Sequence, residues 1–356
     1  MAATLTNGRE EIMTVGKGYH KLGTVVDGAQ TWQDTIVKAG LDWNVEKRPL
    51  YTAGGQELPT FGIFRQDTDS FLGAVGSAYT PIQNKFAFNF VDSLLGSIDG
   101  AHYVFAGSVG NGNQIWCMAE VPFNIAIKGS DDVSKSYLFF TTFHGKKGCA
   151  QAHISTIRPI CDNQLPALMS ESKKFGHMVR IAHTANAEER MTESVGAMAD
   201  VRANVDLLGE KLNTLARRRM TNETTFEVLD TLFPNHRDNA IVQDKIANVL
   251  ENFEDNDGNA FPSQRGTAYS LLNSFTAYID HDRKVYQSGT DEQLELTRTK
   301  SALMGSGLKD KQKALDVILA ATESCPTKTP KLVIDMAERV DINDVLGMTY
   351  SEASSN

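Results

Sequence analysis

Four side chains that metals favour, His144, Cys149, His153 and Cys161, fall within one short stretch of the chain. Imidazole and thiolate are the ligands of zinc. Their spacing contains no C-x-x-C or H-x-x-x-H pair, and alternate residues of a strand face opposite ways. The set therefore reads as core and loop residues. Asp255-Asn256-Asp257-Gly258-Asn259 offers oxygens in the manner of a calcium loop. Placing Asp255, Asp257 and Asn259 on the oxygen positions puts Ala260 where the turn demands glycine, so a solvated loop is expected. Gly107 to Asn113 carries three glycines but matches neither G-x-x-x-x-G-K-[ST] nor G-x-G-x-x-G. It reads as a hairpin loop, and any hold on phosphate would come from exposed N–H groups.

No G-x-S-x-G or H-E-x-x-H occurs. Asp280-His281-Asp282 is the densest acid–base cluster. Neighbours on a helix diverge by about 100°, so the three side chains cannot converge, and a surface helix end is expected. The alternative is a metal or acid–base site acting on nucleic acid. On these motifs the chain is expected not to be an enzyme, and they imply no cofactor and no metal.

The basic residues carry more. Lys146-Lys147 sit in His144-Gly145-Lys146-Lys147-Gly148, a hairpin tip, and Arg158 follows the next strand. Lys173-Lys174 and Arg217-Arg218-Arg219 come later. Tyr137, Phe139, Phe140 and Phe143 lie close to the tip in sequence. Basic tips with interleaved aromatics suit single-stranded nucleic acid, because ammonium and guanidinium groups follow phosphates while rings stack on bases. The competing reading makes those aromatics core and those lysines merely solvated.

The elements that must position these groups follow from periodicity. Leu58–Arg65 and Phe71–Gly76 read as strands joined by the turn residues Asp67-Thr68-Asp69-Ser70. Phe86, Phe90, Val91, Leu94 and Leu95 form a helical stripe over Asn84–Leu95, with Asn84 as a candidate cap. His102–Ala106 and Gln114–Val121 form a hairpin, and Tyr137–Phe143 pairs with Ala152–Ile157. Beyond residue 184 the pattern turns helical. Asn186 to Glu189 has capping-box form. Met191, Val195, Met198, Val201, Val205, Leu208, Leu212 and Leu215 then make one apolar stripe on a helix of about eight turns. That stripe packs on the sheet or serves a coiled-coil contact. Arg217 to Arg219 close the helix, where cations meet the negative end of its dipole. Thr224 to Glu227 is a second capping box. Further helices are expected at 239–253, 264–281, 291–303 and 309–322. The fold class is α+β: an antiparallel, curved sheet with an interposed helix, then a long helix and a helical C-terminal region. The expected domains are 1–184 (sheet) and 185–348 (helical), with a frayed tail at 349–356.

The chain has 356 residues, 41% hydrophobic and 22% charged, an ordinary globular composition. Its net charge is −9, which excludes a uniformly basic nucleic-acid binder. Residues 101–250 are neutral, however, and phosphate recognition needs local charge only. No apolar run approaches the roughly 18 residues of a membrane span, so no membrane partner is expected. The first residues lack the apolar region of an export signal, and four scattered cysteines do not make a disulfide framework. Reduced thiols in a cytosolic setting are expected.

Several stretches together resemble a known family. They are Ala39 to Val45, Val75 to Asn84 with its Tyr79-x-Pro81-Ile82-Gln83-Asn84, and Thr156 to Asn163 with its Arg158-x-x-Cys161-x-Asn163. Ile181-Ala182-His183-Thr184, Gly266 to Tyr269 and Tyr278 to His281 follow. In this order they resemble the phage/plasmid-like domain-of-unknown-function 932 family, over about residues 16–320. The family commonly has Asn-Thr-Leu after the cysteine, where this chain has Asn163-Gln164-Leu165. The resemblance implies a setting in phages, prophages and plasmids, among genes of recombination, single-strand binding and anti-restriction, hence the host cytoplasm. It carries no reaction and no catalytic residue.

The expectation is therefore a non-enzymatic single-stranded DNA binding or annealing protein that assembles with itself. Lys146, Lys147 and Arg158 would contact phosphates, and Arg217, Arg218 and Arg219 would make a second contact. Tyr79 or Trp116 would offer a stacking face. The alternatives are a protein-binding inhibitor of host defence or restriction, and a metal-dependent nucleic-acid enzyme built on Asp280, His281 and Asp282.

Overall fold

The computed structural model describes residues 23–26, 29, 31–96, 98–145, 148–158, 163–166, 178–197, 201–234, 239–255 and 262–323. In chain order the elements begin with β1 (Thr24–Val25), α1 (Trp32–Lys38), β2 (Val45–Tyr51), β3 (Glu57–Arg65), β4 (Phe71–Val75) and α2 (Asn84–Leu95). Next come β5 (His102–Val109), β6 (Gln114–Ala126), β7 (Val133–Phe143), β8 (Ala150–Arg158), β9 (Asn163–Pro166) and β10 (Met178–Ile181). Helices follow: α3 (Ala187–Ala197), α4 (Val201–Ala216), α5 (Asn222–Leu232), α6 (Ala240–Asp255), α7 (Ala268–Ala277), α8 (Asp291–Met304) and α9 (Ser306–Ala321). The class is α+β with a helical C-terminal region. One antiparallel sheet runs β1-β5-β6-β7-β8-β10, with β9 also on β8, and a second runs β2-β3-β4.

The chain divides into two compact units, each drawn from separated segments. Unit 1 is Met1–Phe123, Lys135–Ser155 and Glu171–Asn204; unit 2 is Asn124–Ser134, Thr156–Ser170 and Val205–Asn356. Thus 124–134 and 156–170 group with the helices, although in sequence they belong to the strand-rich stretch.

In unit 1, Phe90, Val91, Leu94 and Leu95 of the predicted α2 stripe are buried, Phe86 is half-buried, and Ala87 and Phe88 join the buried face. Phe90 meets Phe140 edge-on at 5.9 Å, and Phe88 stacks at 6.4 Å on Tyr103. Tyr137, Phe139 and Phe140 are core residues that pack the interior, while Phe143, the nearest to the basic pair in sequence, is half-buried. The β5–β6 loop is shorter than Gly107–Asn113. Gly107 and Ser108 already pair with Trp116 and Ile115, and Gly110, Asn111 and Gly112 make the turn at positive φ, which favours glycine and asparagine.

Other expectations change in detail. β2 went unread in the sequence because Pro49 and three charges interrupt its apolar pattern. It is an edge strand, where a proline leaves no ladder bond unmade. The cap of α2 is Gln83, not Asn84. The second capping site lies three residues earlier than expected: Thr221 Oγ1 accepts from Thr224 N and starts α5 at Asn222. The described helices of the long apolar stripe are α3 and α4, and residues 198–200 lie outside the described residues. Met191, Val205, Leu208, Leu212 and Leu215 are buried.

In unit 2, α7 is buried along its whole length, as a helix enclosed on all sides must be. It packs on α6 and α9, while α9 also packs on α5 and α8. The expected 264–281 helix is interrupted. A 3-10 turn at Pro262–Gln264 precedes α7, whose cap Thr267 accepts from Ser270 N, and a π-helical turn, Tyr278–Asp282, follows it. The Tyr269 hydroxyl donates to Asp132 Oδ2 at 2.9 Å in the interior. Among the described residues no helix is long and apolar enough to cross a membrane.

Candidate functional site

Three separated stretches of unit 1 meet where the chain enters β2 and leaves β7. Gln83, at the mouth of α2, uses its amide as a strand would. Its Nε2 donates to Val45 O at 2.9 Å and its Oε1 accepts from Val45 N at 3.0 Å. The next residue, Asn84, donates from Nδ2 to Leu41 O and Trp43 O at 2.9 and 3.2 Å. Those two bonds fix the amide's orientation, so Oδ1 faces His144 Nε2 at 2.7 Å as an acceptor. His144 therefore carries its proton on Nε2. Its Nδ1 is a buried acceptor with no hydrogen-bond partner.

A second imidazole lies nearby. His183 Nε2 meets Thr142 Oγ1 at 3.2 Å, and its carbonyl accepts from Thr80 N at 3.1 Å. Its Nδ1 is also buried and unpartnered. The ring stacks on Tyr79 at 4.9 Å, 12° from parallel, and the Tyr79 hydroxyl donates to Phe143 O at 2.8 Å. Lys47 Nζ holds the loop before α2 through Ser77 O at 2.6 Å and Tyr79 O at 2.8 Å. Burial, reinforced by His183 and Arg65, pulls His144 down to about 3. Burial pulls His183 down to about 4, against a backbone bond with Thr80 that raises it. Both imidazoles are neutral at pH 7. Burial of the Tyr79 phenol pushes its ionisation up.

The base of the β7–β8 hairpin is fixed by the same residues. His144 N donates to Asn113 O at 2.7 Å, and Asn113 Nδ2 donates to Leu72 O. Gly73 and Gly145 let β4 and the hairpin base approach closely: a methyl group added to Gly73 would stand 3.3 Å from Gly145 Cα. Trp43 meets His144 edge-on at 5.4 Å, and the Arg65 guanidinium lies 4.2 Å from the Trp43 ring centroid. Arg65 also forks onto Asp67, at 3.0 and 2.6 Å. His144 is wholly buried and His183 is 5% exposed. In this arrangement both rings are shielded from solvent at the base of the β7–β8 connection.

A family model described as "Domain of unknown function (DUF932)" matches residues 71–303, well over half of the chain. The chain belongs to the DUF932 family. No curated protein and no solved structure matches it. Of the residues that carry the family resemblance in sequence, Trp43 and Asn84 contact His144, His183 lies beside it, Tyr79 stacks on His183, and Gln83 bonds Val45.

The expected nucleic-acid contacts of this DUF932 chain are placed as follows. Lys146 and Lys147 lie outside the described residues, directly after the anchored Gly145. Arg158 is the last residue of β8. Tyr79 is half-buried with one face covered by His183. Trp116 is wholly buried and stacked on Phe139 at 5.9 Å, so it has no open face for a base; its place near the start of β6, an inner strand of the sheet, puts it in the core. Arg217, exposed, follows α4, and its Nε donates to Asn213 O at 3.0 Å. It lines a groove of about 670 Å3 with Lys128, where Asp206 and Glu210 offset the two cations. Arg218 and Arg219 are half-buried in a backbone bridge: Ala268 N donates to Arg218 O, and Arg219 pairs with Thr267. The arginine run thus splits between surface and bridge.

Among the described residues, no three of the histidines, cysteines and carboxylates of the other sequence clusters gather where they could hold a metal ion. His153 packs on Phe139 at 5.2 Å, while Cys161 lies outside the described residues, as do Asn256 to Asn259 of the acidic loop. Asp280 holds the buried ammonium of Lys311 at 2.7 Å, and Asp282 accepts from Asn252 Nδ2 at 2.7 Å. Sequence reasoning missed the pairing of His144 with Asn84. The signal available was the Tyr79–Asn84 motif itself, which marks residues but not their partner 60 positions away.

Proposed function

We propose that this protein binds single-stranded DNA, without enzymatic activity, in the recombination or replication of a mobile element. The observation that carries the reading is the convergence of Tyr79, Asn84 and His183 on the base of the hairpin whose tip bears Lys146 and Lys147. A buried polar network holds His144, two residues before this basic pair, in one geometry, and in this reading that anchoring lowers the cost of ordering the pair on DNA. Lower ordering cost leaves more of the phosphate attraction as affinity. Arg158 and Arg217 add cationic contacts in this reading, and self-association along the strand would convert weak single sites into annealing activity.

The test is binding of the purified chain to labelled single-stranded and duplex oligonucleotides across a salt series, with mass photometry of the same samples. Single-strand-selective, salt-sensitive binding with higher-order assembly supports the reading. No binding at low salt sinks it.

A second reading, docking to a host or phage protein, is favoured by the outer face of the β2-β3-β4 sheet. There Phe71, 54% exposed, meets Phe64 edge-on at 5.4 Å beneath the Arg48 guanidinium. Glu46 and Asp69 both pair with Arg48, so the face is not cationic and suits protein better than phosphate. Pull-down from host lysate with wild type and Phe71→Ser separates the two: a partner captured equally by both removes this face from consideration.

A further inference from the structure

A small pocket of about 200 Å3 opens in unit 2 beside the π-helical turn. Its floor is aromatic. Phe233 and Phe275 stack at 5.6 Å, 15° from parallel, and Tyr278 meets Phe233 edge-on at 6.5 Å. A cavity of roughly 150 Å3 takes up benzene, so this one has room for a single planar ring. The rim is cationic: Lys245, Arg283 and Lys313 face one carboxylate, Asp310. That carboxylate is taken by Arg283 Nη1 at 2.8 Å. Lys313 Nζ has only a long bond to Thr231 O, 3.3 Å, and Lys245 has no ion pair among the described residues. A local excess of two cations on a chain of net charge −9 is complementary to an anion.

The site is also pre-formed. Arg283 N donates to Tyr278 O at 2.7 Å and closes the π-helical turn, and Asp280 ties that turn to α9 through buried Lys311. π-Helical turns within helices are frequent at functional sites. The Tyr278 phenol, lifted to about 12 by burial, remains a neutral donor.

We propose that this pocket binds a small aromatic anion, its ring on the Phe233–Phe275–Tyr278 floor and its charged group against the ammonium groups of Lys245 and Lys313. A free aromatic anion and a single nucleotide share this chemistry.

The test is calorimetric titration of the full chain with phenyl phosphate, inorganic phosphate, benzyl alcohol and dCMP. Saturable binding of phenyl phosphate, tighter than inorganic phosphate or benzyl alcohol, is expected. Lys245→Gln and Lys313→Gln should each weaken it by about tenfold, the loss of one charge-assisted bond. Lys313 is exposed and Lys245 half-buried, and glutamine keeps most of the side chain's length, so circular dichroism should match wild type. No saturable binding, equal binding of inorganic phosphate or of benzyl alcohol, or unchanged affinity in both variants overturns the proposal. Displacement by dCMP identifies a nucleotide as the source of the ring, and retention against dCMP identifies a smaller aromatic anion; each supports the site. The Lys146→Ala/Lys147→Ala protein should bind phenyl phosphate as wild type does, so this pocket and the single-strand reading fail independently.

Discussion

His144 donates its Nε2 proton to the side-chain oxygen of Asn84 across 60 residues of sequence, at 2.7 Å and out of contact with water. The same amide donates to the carbonyls of Leu41 and Trp43. One side chain therefore joins the start of β2, the start of α2 and the end of β7.

Asn84→Ala removes the partner of His144 and of two carbonyls at once. A buried polar group left unsatisfied costs about 1–3 kcal/mol, and several are left here, so a loss of about 3 kcal/mol is expected. Urea denaturation followed by circular dichroism measures it. A loss under about 0.5 kcal/mol would mean that the network does not hold unit 1 together.

Stability should fall with acidification. His144 and His183 have folded values of about 3 and about 4, below the ordinary 6.5. Their unfolded forms take up protons first, so the stabilisation is complete above pH 6.5 and is lost as pH falls toward 4 and then 3. Denaturation midpoints between pH 7 and pH 4 should decline, and His183→Gln should flatten that decline. An identical slope in the variant would assign the acid sensitivity to other groups.

The Asp280–Lys311 pair offers a sharper contrast. Lys311 is wholly buried and Asp280 is 8% exposed. Burial pulls the ammonium below its ordinary ionisation range, while Asp280 opposes the shift. Asp280→Ala strands a buried charge and should cost about 3–5 kcal/mol, whereas Asp280→Leu with Lys311→Met should be close to neutral. Equal losses in the single and double variants would contradict this account.

Thr221→Ala removes the acceptor for Thr224 N at the start of α5 and should cost about 1 kcal/mol, readable as a lower denaturation midpoint. Thr221→Asn, which restores an acceptor, should recover most of it.

For the proposed DNA contact, Lys146→Ala with Lys147→Ala should weaken single-strand binding and reduce the slope of log affinity against log salt by about 1.4, the single-strand value for two phosphates. Unchanged affinity and slope would remove the hairpin tip from the interface.

Local periodicity determined much of this protein. The stripe of α2, the strands β3 and β4, the apolar face of α4 and the α+β class follow from side-chain spacing of 3.6 and 2, which any chain must obey to bury one face. The residues of the Tyr79–Asn84 motif and His183 were visible too. What they do was not, because their partners are distant in sequence: Asn84 reads as a helix cap until His144 is brought to it. β2 was hidden by Pro49, which an edge strand with a register shift at that residue tolerates. The fates of Trp116 and of Arg217 to Arg219 were likewise set by tertiary packing. An aromatic ring or a guanidinium has the same chemistry in the core and on the surface, and only the neighbours brought in by the fold decide which of its faces meets water.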